Sequence, residues 1–205
     1  MSVRLGTLGI AALVVVGLLT SPPHSARAAS SKSRARATFA GGCFWSMEAP
    51  FDQLSGVVST TSGYAGGKEP SPSYQQVASG ATGHAEAVQV VFDPAKVSYE
   101  KLLAVFWRNI DPFDAGGQFC DRGRQYRTAI FYETEEQRRA AVASRESIEA
   151  QGRLPAPIAT EIAPLPAFYP AEAEHQDFYL TKVRRYWSYR TGCGRDRRLK
   201  EIWGE

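Results

Sequence analysis

The sequence predicts an α+β fold in which helices pack on one face of a sheet, and three observations lead to this class. Short apolar runs typical of strands alternate with segments in which apolar residues recur every three or four positions. Long irregular segments separate these elements, most clearly over residues 68–83, which are rich in Gly, Pro and Ser, and over residues 111–125. No repeat of 20–50 residues is visible, and no linker divides residues 29–205. We therefore predict a single two-layer domain.

The individual elements are predicted from local patterns, in chain order. Strands are expected over residues 37–40, 57–65, 87–92, 128–132 and 158–162. Helices are expected from near Cys43, where Pro50 should keep the helix short, after the N-cap residues Ser98 and Thr134, and over residues 171–182. In the C-terminal tail, residues 183–205, we expect one short amphipathic helix close to the end.

The first 28 residues have the order of a secretory signal peptide. Arg4 precedes an apolar run over residues 8–19, and the small-x-small triplet at 26–28 follows a polar, Pro-containing stretch. An uncleaved membrane anchor is the alternative, but an anchor usually needs a longer apolar span. We expect an exported, periplasmic protein with a mobile leader over residues 29–36 and no stable membrane association after cleavage.

The charge balance argues against a nucleic-acid partner. Removing residues 1–28 takes away Arg4 and Arg27 and no acidic residue, which leaves 22 basic against 21 acidic side chains. Because no basic stripe with interleaved aromatic residues is present, the remaining charge is typical of a solvated surface.

Three cysteines follow the predicted signal peptide: Cys43, Cys120 and Cys193. Three are too few for a disulfide scaffold, and none has CxxC or metal-type spacing, so no metal site is expected. An odd number of cysteines in an exported protein suggests that at least one thiol is kept for its reactivity.

Cys43 has the strongest signal for chemistry. It follows Gly41 and Gly42, between a predicted strand and a predicted helix. The free N–H groups and partial positive charge of a helix N-terminus favour a thiolate, which is the nucleophilic form. The alternative is a buried structural cysteine. Likewise, Phe44 and Trp45 could line a substrate pocket or belong to the core.

Several polar residues are candidates for acid–base work. Glu86 begins an apolar strand, where desolvation would raise its pKa and make it a proton donor; a solvent-facing strand end is the alternative. His84 or His175 could instead pair with Cys43, as in thiol hydrolases. Three residues of the irregular segments remain undecided between a cleft and ordinary turn or strand positions: Tyr74, Asp121 and Tyr126.

A set of longer motifs resembles the peptide methionine sulfoxide reductases of the A type, which act on the S epimer. The motifs are GGCFW at 41–45, GYAGG at 63–67, PSPSY at 70–74, GATGHAEAVQVVFDP at 80–94 and CDRGRQYRTAIF at 120–131. They follow the order and spacing of that family over residues 36–180.

The resemblance implies a role for each matching residue. Cys43 would attack the sulfoxide sulfur and become a sulfenic acid, while Phe44 and Trp45 hold the substrate methyl group. Glu86 would protonate the sulfoxide oxygen, which two phenols, Tyr74 and Tyr126, would also hydrogen-bond. Asp121 would help to shape the site.

The resemblance also implies a ferredoxin-like two-layer sandwich with long site-building loops. No metal or organic cofactor is implied, and the expected partners are oxidised proteins or peptides and a thioredoxin-like dithiol donor, with the chain as a monomer. Two alternatives are a cysteine hydrolase and an exported module that binds oxidised methionine without turning it over.

The recycling route stays open, because the C-terminus departs from the family's commoner glycine-rich tail with two cysteines. Cys193, flanked by glycines, is the tentative resolving cysteine for Cys43. A structural bridge between Cys120 and Cys193 and a resolving role for Cys120 are the alternatives.

Overall fold

The computed structural model describes residues 2, 34–152 and 157–204. The chain divides into two units, residues 1–31 and residues 32–205. The predicted signal peptide, apart from Ser2, and the first part of the predicted leader lie outside the described residues. Within the described part, no helix is long and apolar enough to cross a membrane.

The second unit contains eight described strands and seven described α-helices. The strands are β1 (Ala35–Gly41), β2 (Val57–Ala65), β3 (Ala85–Phe92), β4 (Gly117–Gln118), β5 (Asp121–Arg122), β6 (Thr128–Tyr132), β7 (Glu161–Pro164) and β8 (Phe168–Pro170). The helices are α1 (Phe44–Asp52), α2 (Tyr74–Ala78), α3 (Tyr99–Arg108), α4 (Glu135–Glu149), α5 (Phe178–Thr181), α6 (Val183–Gly192) and α7 (Arg195–Trp203). Two 3-10 turns lie at Arg124–Tyr126 and Ala173–His175.

Six of the strands form one sheet in the order β7-β6-β1-β3-β2-β8. All neighbours are antiparallel except β6 and β7, which are parallel. β4 and β5 form a separate two-stranded ribbon. The predicted α+β class is therefore confirmed.

Strand alternation divides the side chains of the sheet between two faces. One face packs with α1, α3 and α4 into the main apolar core, which includes Phe39, Phe51, Val88, Phe106 and Ile130. The opposite face carries a smaller cluster of mostly alanine side chains with Phe131. Glu86 has the same parity in β3 as Val88 and Val90, so its carboxyl is directed toward the helical face, where α1 begins.

Most predicted elements are present, and their N-caps are as expected. The Ser98 and Thr134 side chains accept from the backbone N–H groups of Lys101 and Gln137 at the start of α3 and α4. β1, however, begins at Ala35, inside the predicted leader, because Ala35 and Arg36 pair with the end of β3. The predicted leader therefore ends two residues too late.

Three C-terminal predictions need correction. The strand predicted over 158–162 is β7 (Glu161–Pro164), because its position is set by parallel pairing with β6. The helix predicted over 171–182 is broken into a 3-10 turn and α5, with Asp177 in a left-handed conformation (φ 50°) between them. The segment predicted as a tail forms α6 and α7, which bury Tyr186 and Arg195.

Candidate active site

Cys43 lies in a tight turn between β1 and α1. It is the N-cap residue of α1, and its side chain is 6 % exposed. Gly42 before it has φ 83°, and a Cβ there would come within 2.6 Å of the Gln118 Cβ. Gln118 cannot move away easily, because its amide accepts from Asp111 N at 2.8 Å and donates to Asp111 O at 2.7 Å. A glycine is therefore required before the thiol.

Glu86 is the acid next to this thiol. Its side chain is buried, its Oε2 accepts from the Phe44 backbone N–H at 3.0 Å, and its carboxyl lies within hydrogen-bond reach of the Cys43 thiol. Burial raises the pKa of Glu86 to about 8. Burial, followed by the Glu86 charge, raises the pKa of Cys43 well above its usual value. The alternative of a solvent-facing strand end is therefore wrong, and Glu86 can carry a proton at neutral pH.

Tyr189 is a site residue that the sequence analysis missed. Its hydroxyl donates to Asp121 Oδ2 and also lies within hydrogen-bond reach of the Cys43 sulfur. Burial raises the pKa of both Tyr189 and Asp121. Tyr189 belongs to α6, and the sequence analysis predicted a helix only closer to the end of the tail, so it did not identify Tyr189. The aromatic run before Cys193 was the available signal.

Tyr74 reaches the site from the first residue of α2. Ser73 caps this short helix and forms a capping box with Gln76. Glu172 fastens it to the sheet by accepting from Tyr74 N at 2.8 Å and from the Tyr64 hydroxyl at 2.7 Å. Burial, followed by the Glu86 charge, raises the pKa of Tyr74 to about 12, so its phenol remains a donor.

Tyr126 reaches the same place from the 3-10 turn at Arg124–Tyr126. Gln125 Nε2 donates to Ala78 O at 2.9 Å, and Arg127 Nη2 donates to Gly83 O at 3.2 Å, which holds the turn against the last residue of α2 and the segment that follows it. Burial, followed by the charges of Glu86 and Tyr74, raises the pKa of Tyr126. Two protonated phenols therefore lie close to one buried carboxyl.

Aromatic rings form the apolar wall of the site. Trp45 stacks on Phe178 with centroids 3.8 Å apart, and its Nε1 donates to His175 Nδ1 at 3.1 Å. Phe44 is buried next to the His175 ring, at 5.3 Å between centroids. Phe178 and His175 complete the wall but lie at least 130 positions from Trp45, so no local pattern could have assigned them.

Neither histidine pairs with Cys43. His84 is occupied elsewhere: its Nδ1 accepts from Gly67 N at 3.2 Å, and its Nε2 lies 2.8 Å from Glu69 O. Burial lowers the pKa of His175, whose Nδ1 is taken by Trp45. The hydrolase alternative therefore lacks its base.

The remaining cysteines are joined to each other. Cys120 and Cys193 form a disulfide, while Cys43 is a free thiol. In this state Cys193 is bonded to Cys120 rather than to Cys43, and the identity of the resolving cysteine stays a prediction. The two sulfurs and an Asp121 oxygen lie within 4.8 Å of one another, but sulfurs in a disulfide are poor metal ligands.

Replacing the two phenols gives a first test of this geometry. We expect Tyr74→Phe or Tyr126→Phe alone to lower kcat by about tenfold, since the other phenol remains, and the double variant to lower it by at least about a hundredfold. Steady-state assays on a methionine sulfoxide peptide measure this. Tyr99→Phe, on α3, is the matched control, and an unchanged double variant would contradict the assignment.

Comparisons with known proteins identify the family of the chain. The sequence profile of the family described as "Peptide methionine sulfoxide reductase" matches residues 35–205. The chain is 49 % identical over 174 residues to the peptide methionine sulfoxide reductase MsrA of Bacillus licheniformis, covering 85 % of this chain and 96 % of that protein. It is 52 % identical over 170 residues to MsrA of Halalkalibacterium halodurans, covering 83 % and 97 %.

Solved structures give the same result. The reduced form of Mxr1 from Saccharomyces cerevisiae superposes with a TM-score of 0.68 at 32 % identity, covering 74 % of this chain and 87 % of that one. Methionine sulfoxide reductase A of Corynebacterium diphtheriae superposes with a TM-score of 0.64 at 32 % identity, covering 73 % and 76 %. The chain therefore belongs to the peptide methionine sulfoxide reductase family, A type.

Proposed function

We propose that the chain reduces methionine-S-sulfoxide, free or in proteins, to methionine, with Cys43 as the nucleophile and Glu86 as the acid. Thiol-dependent reduction of methionine sulfoxide is the activity of its family. The observation that carries the residue assignment is the burial of a protonatable Glu86 next to the Cys43 thiol, with its Oε2 3.0 Å from the Phe44 backbone nitrogen and two phenols beside it. This arrangement provides a nucleophile, Cys43, and three hydrogen-bond donors that can surround a bound sulfoxide oxygen. The donors are Glu86, Tyr74 and Tyr126.

The first chemical step transfers one oxygen atom. The Cys43 thiolate attacks the sulfoxide sulfur, and the Glu86 proton passes to the sulfoxide oxygen. Transfer of that hydroxyl to Cys43 gives a sulfenic acid, methionine and the Glu86 carboxylate, so atoms and charge balance. Tyr74 and Tyr126 stabilise the negative charge that develops on oxygen.

The aromatic wall supports selection of the substrate. Phe44 and Trp45 provide an apolar surface for the methyl group, and the Tyr74 ring, 6.4 Å from the Phe44 ring between centroids, joins this surface to the donors. Because the methyl group and the oxygen need different contacts, apolar rings and hydrogen-bond donors, the site favours one epimer at sulfur.

The cysteine pair supports a route for recycling. A thiol of the reduced Cys120–Cys193 pair condenses with the Cys43 sulfenic acid, releasing water and forming a disulfide. Exchange with the second thiol of the pair frees Cys43 and leaves the Cys120–Cys193 disulfide. Since Cys120 is exposed, a thioredoxin-like dithiol donor can reach this disulfide and reduce it.

We also infer the finer points of architecture and location. The order β6-β1-β3-β2 within a β1-α1-β2-β3-α3-β6 unit supports a ferredoxin-like core. The pattern of residues 1–28 supports a cleaved signal peptide and a periplasmic enzyme that repairs oxidised proteins. Mass spectrometry of the protein from fractionated cells tests the cleavage site and the location.

Single turnover tests the chemistry directly. The disulfide form, mixed with a methionine-S-sulfoxide peptide and no reductant, is expected to yield one equivalent of methionine and a sulfenic acid on Cys43. Mass mapping after trapping identifies the modified residue, and Cys43→Ser is the control. No methionine from either epimer, with Cys43 unchanged, would overturn the proposal in favour of a binding module.

A further inference from the structure

Arg195 is a fully buried cation that the proposed mechanism has not used. It begins α7, two residues after Cys193, and its side chain is 1 % exposed. Its Nη2 donates to Asn109 O at 2.6 Å and to Gly41 O at 3.1 Å, and its guanidinium lies 4.5 Å from the Phe119 ring centroid. Among the described residues, Nε and Nη1 have no hydrogen-bond partner.

This burial is costly, because a guanidinium loses its hydration and finds only neutral groups in contact. Burial lowers the pKa of Arg195 only to about 10, so the side chain stays cationic at neutral pH. A buried cation without an anion in contact suits a site in which negative charge forms during the reaction.

Arg195 contacts the turn formed by Gly41, Gly42 and Cys43, which we call the nucleophile turn. Its hydrogen bond holds the carbonyl of Gly41, and Nη1 lies 3.8 Å from the position that a Cβ on Gly42 would take. Cys43 is the next residue, and the Arg195 charge interacts with both Cys43 and Asp121. In contrast, Glu86 approaches the thiol from the side of the Phe44 N–H.

Only one of two proton arrangements of the Cys43–Glu86 pair can react. After the pair has lost one proton, the negative charge lies either on the carboxylate or on sulfur, and only the thiolate with protonated Glu86 supplies both nucleophile and acid. The titratable groups that interact with Cys43 are Tyr74, Glu86, Asp121, Tyr126, Tyr189 and Arg195. Arg195 is the cation among them.

We propose that Arg195 is a positioning residue that draws the negative charge of the Cys43–Glu86 pair onto sulfur. The step is one proton transfer, from Cys43 Sγ to a Glu86 carboxyl oxygen, and no other bond changes. This inference rests on the proposed function, because it explains how the nucleophile and the acid exist together. The charge acts through the short, water-excluded distance between the guanidinium and the turn.

Alkylation of Cys43 by iodoacetamide tests the proposal without sulfoxide. In the disulfide form Cys43 is the free thiol, so the rate reports this one residue. We expect Arg195→Met to lower the alkylation rate at pH 8 by about tenfold and to shift the pH profile upward by about one unit. Arg195→Lys, which keeps the charge, should recover most of the rate.

Arg197→Met is the matched control. Arg197 lies on the same helix with an exposed side chain, and its replacement should leave the profile within twofold. Near-UV circular dichroism selects folded variants, and Arg195→Gln takes the place of Arg195→Met if the latter does not fold. A neutral, folded variant with the wild-type profile, or a lysine variant as slow as the neutral one, would overturn the proposal. If the Arg195→Met variant had a shifted alkylation profile but the wild-type protein reduced no sulfoxide, the proposed function would be overturned. The effect of Arg195 on the Cys43 thiol would still stand.

Discussion

Glu86→Gln is expected to lower kcat/KM for a methionine-S-sulfoxide peptide by about 10²- to 10⁴-fold. The substitution keeps the size of the side chain and its contact with the Phe44 N–H but removes the proton that the sulfoxide oxygen needs. General acid catalysis contributes an effect of this size in comparable sites.

The pH dependence of kcat/KM provides a second test of the role of Glu86. Cys43 and Glu86 lose their two protons in coupled steps, the first near pH 8, and the reactive state has lost one of them. We expect wild-type kcat/KM to rise through about pH 8 and to fall when the second proton leaves. The glutamine variant should lack this bell shape. Above pH 8 its thiol should be alkylated faster than the wild-type thiol, because the repelling carboxylate is gone.

Glu48→Gln is the control for this experiment. Glu48 is another buried carboxyl, in α1, whose pKa burial raises to about 7. Its replacement should leave the pH profile of kcat/KM unchanged. If Glu86→Gln retained more than about a tenth of wild-type activity with the wild-type pH profile, a different group would be the acid.

The fully reduced protein is expected to form two equivalents of methionine without added reductant, whereas the disulfide form gives one. With three thiols, the first turnover ends in a Cys120–Cys193 disulfide and a regenerated Cys43, which can react once more. The electron balance allows no further turnover. Quantifying methionine by chromatography after anaerobic reduction and desalting gives the count.

Single serine variants separate the possible routes. Cys120→Ser and Cys193→Ser should each stop at one equivalent, and the variant that keeps the resolving cysteine should carry a disulfide to Cys43. With a dithiol protein as donor, steady-state turnover of either variant should fall by about a hundredfold while the rate of the first turnover stays near wild type. One equivalent from both redox states of the wild type would show that the bridge is structural and that Cys43 is regenerated externally.

Local signals predicted those parts of the fold that depend on neighbouring residues. Ser98 and Thr134 cap their helices because capping involves a backbone N–H only three residues away. Glu86 could be placed at the start of an apolar strand, although its burial depends on α1 packing over it. The resemblance to a known family, rather than periodicity, supplied Tyr74, Tyr126 and Asp121 as partners.

The remainder of the site depends on contacts that no local pattern encodes. His175 meets Trp45 across 130 positions, and Tyr189 meets Asp121 across 68. α6 was missed because its exposed face mixes Val183 and Trp187 with arginines, which hides the apolar period of a helix. Asp177 breaks the preceding helix through a left-handed backbone that its side chain tolerates.

The bridge between Cys120 and Cys193 spans 73 positions of chain, including β6, α4 and the segment that carries His175 and Phe178. A covalent link over a loop of this size restricts the unfolded chain and typically stabilises a protein by about 4 kcal/mol. The protein is therefore more resistant to unfolding and to proteolysis with the Cys120–Cys193 disulfide formed than after this disulfide has been reduced. In a compartment where reductant is scarce, the disulfide form accumulates. The protein would then resist unfolding best when it holds the fewest electrons for catalysis.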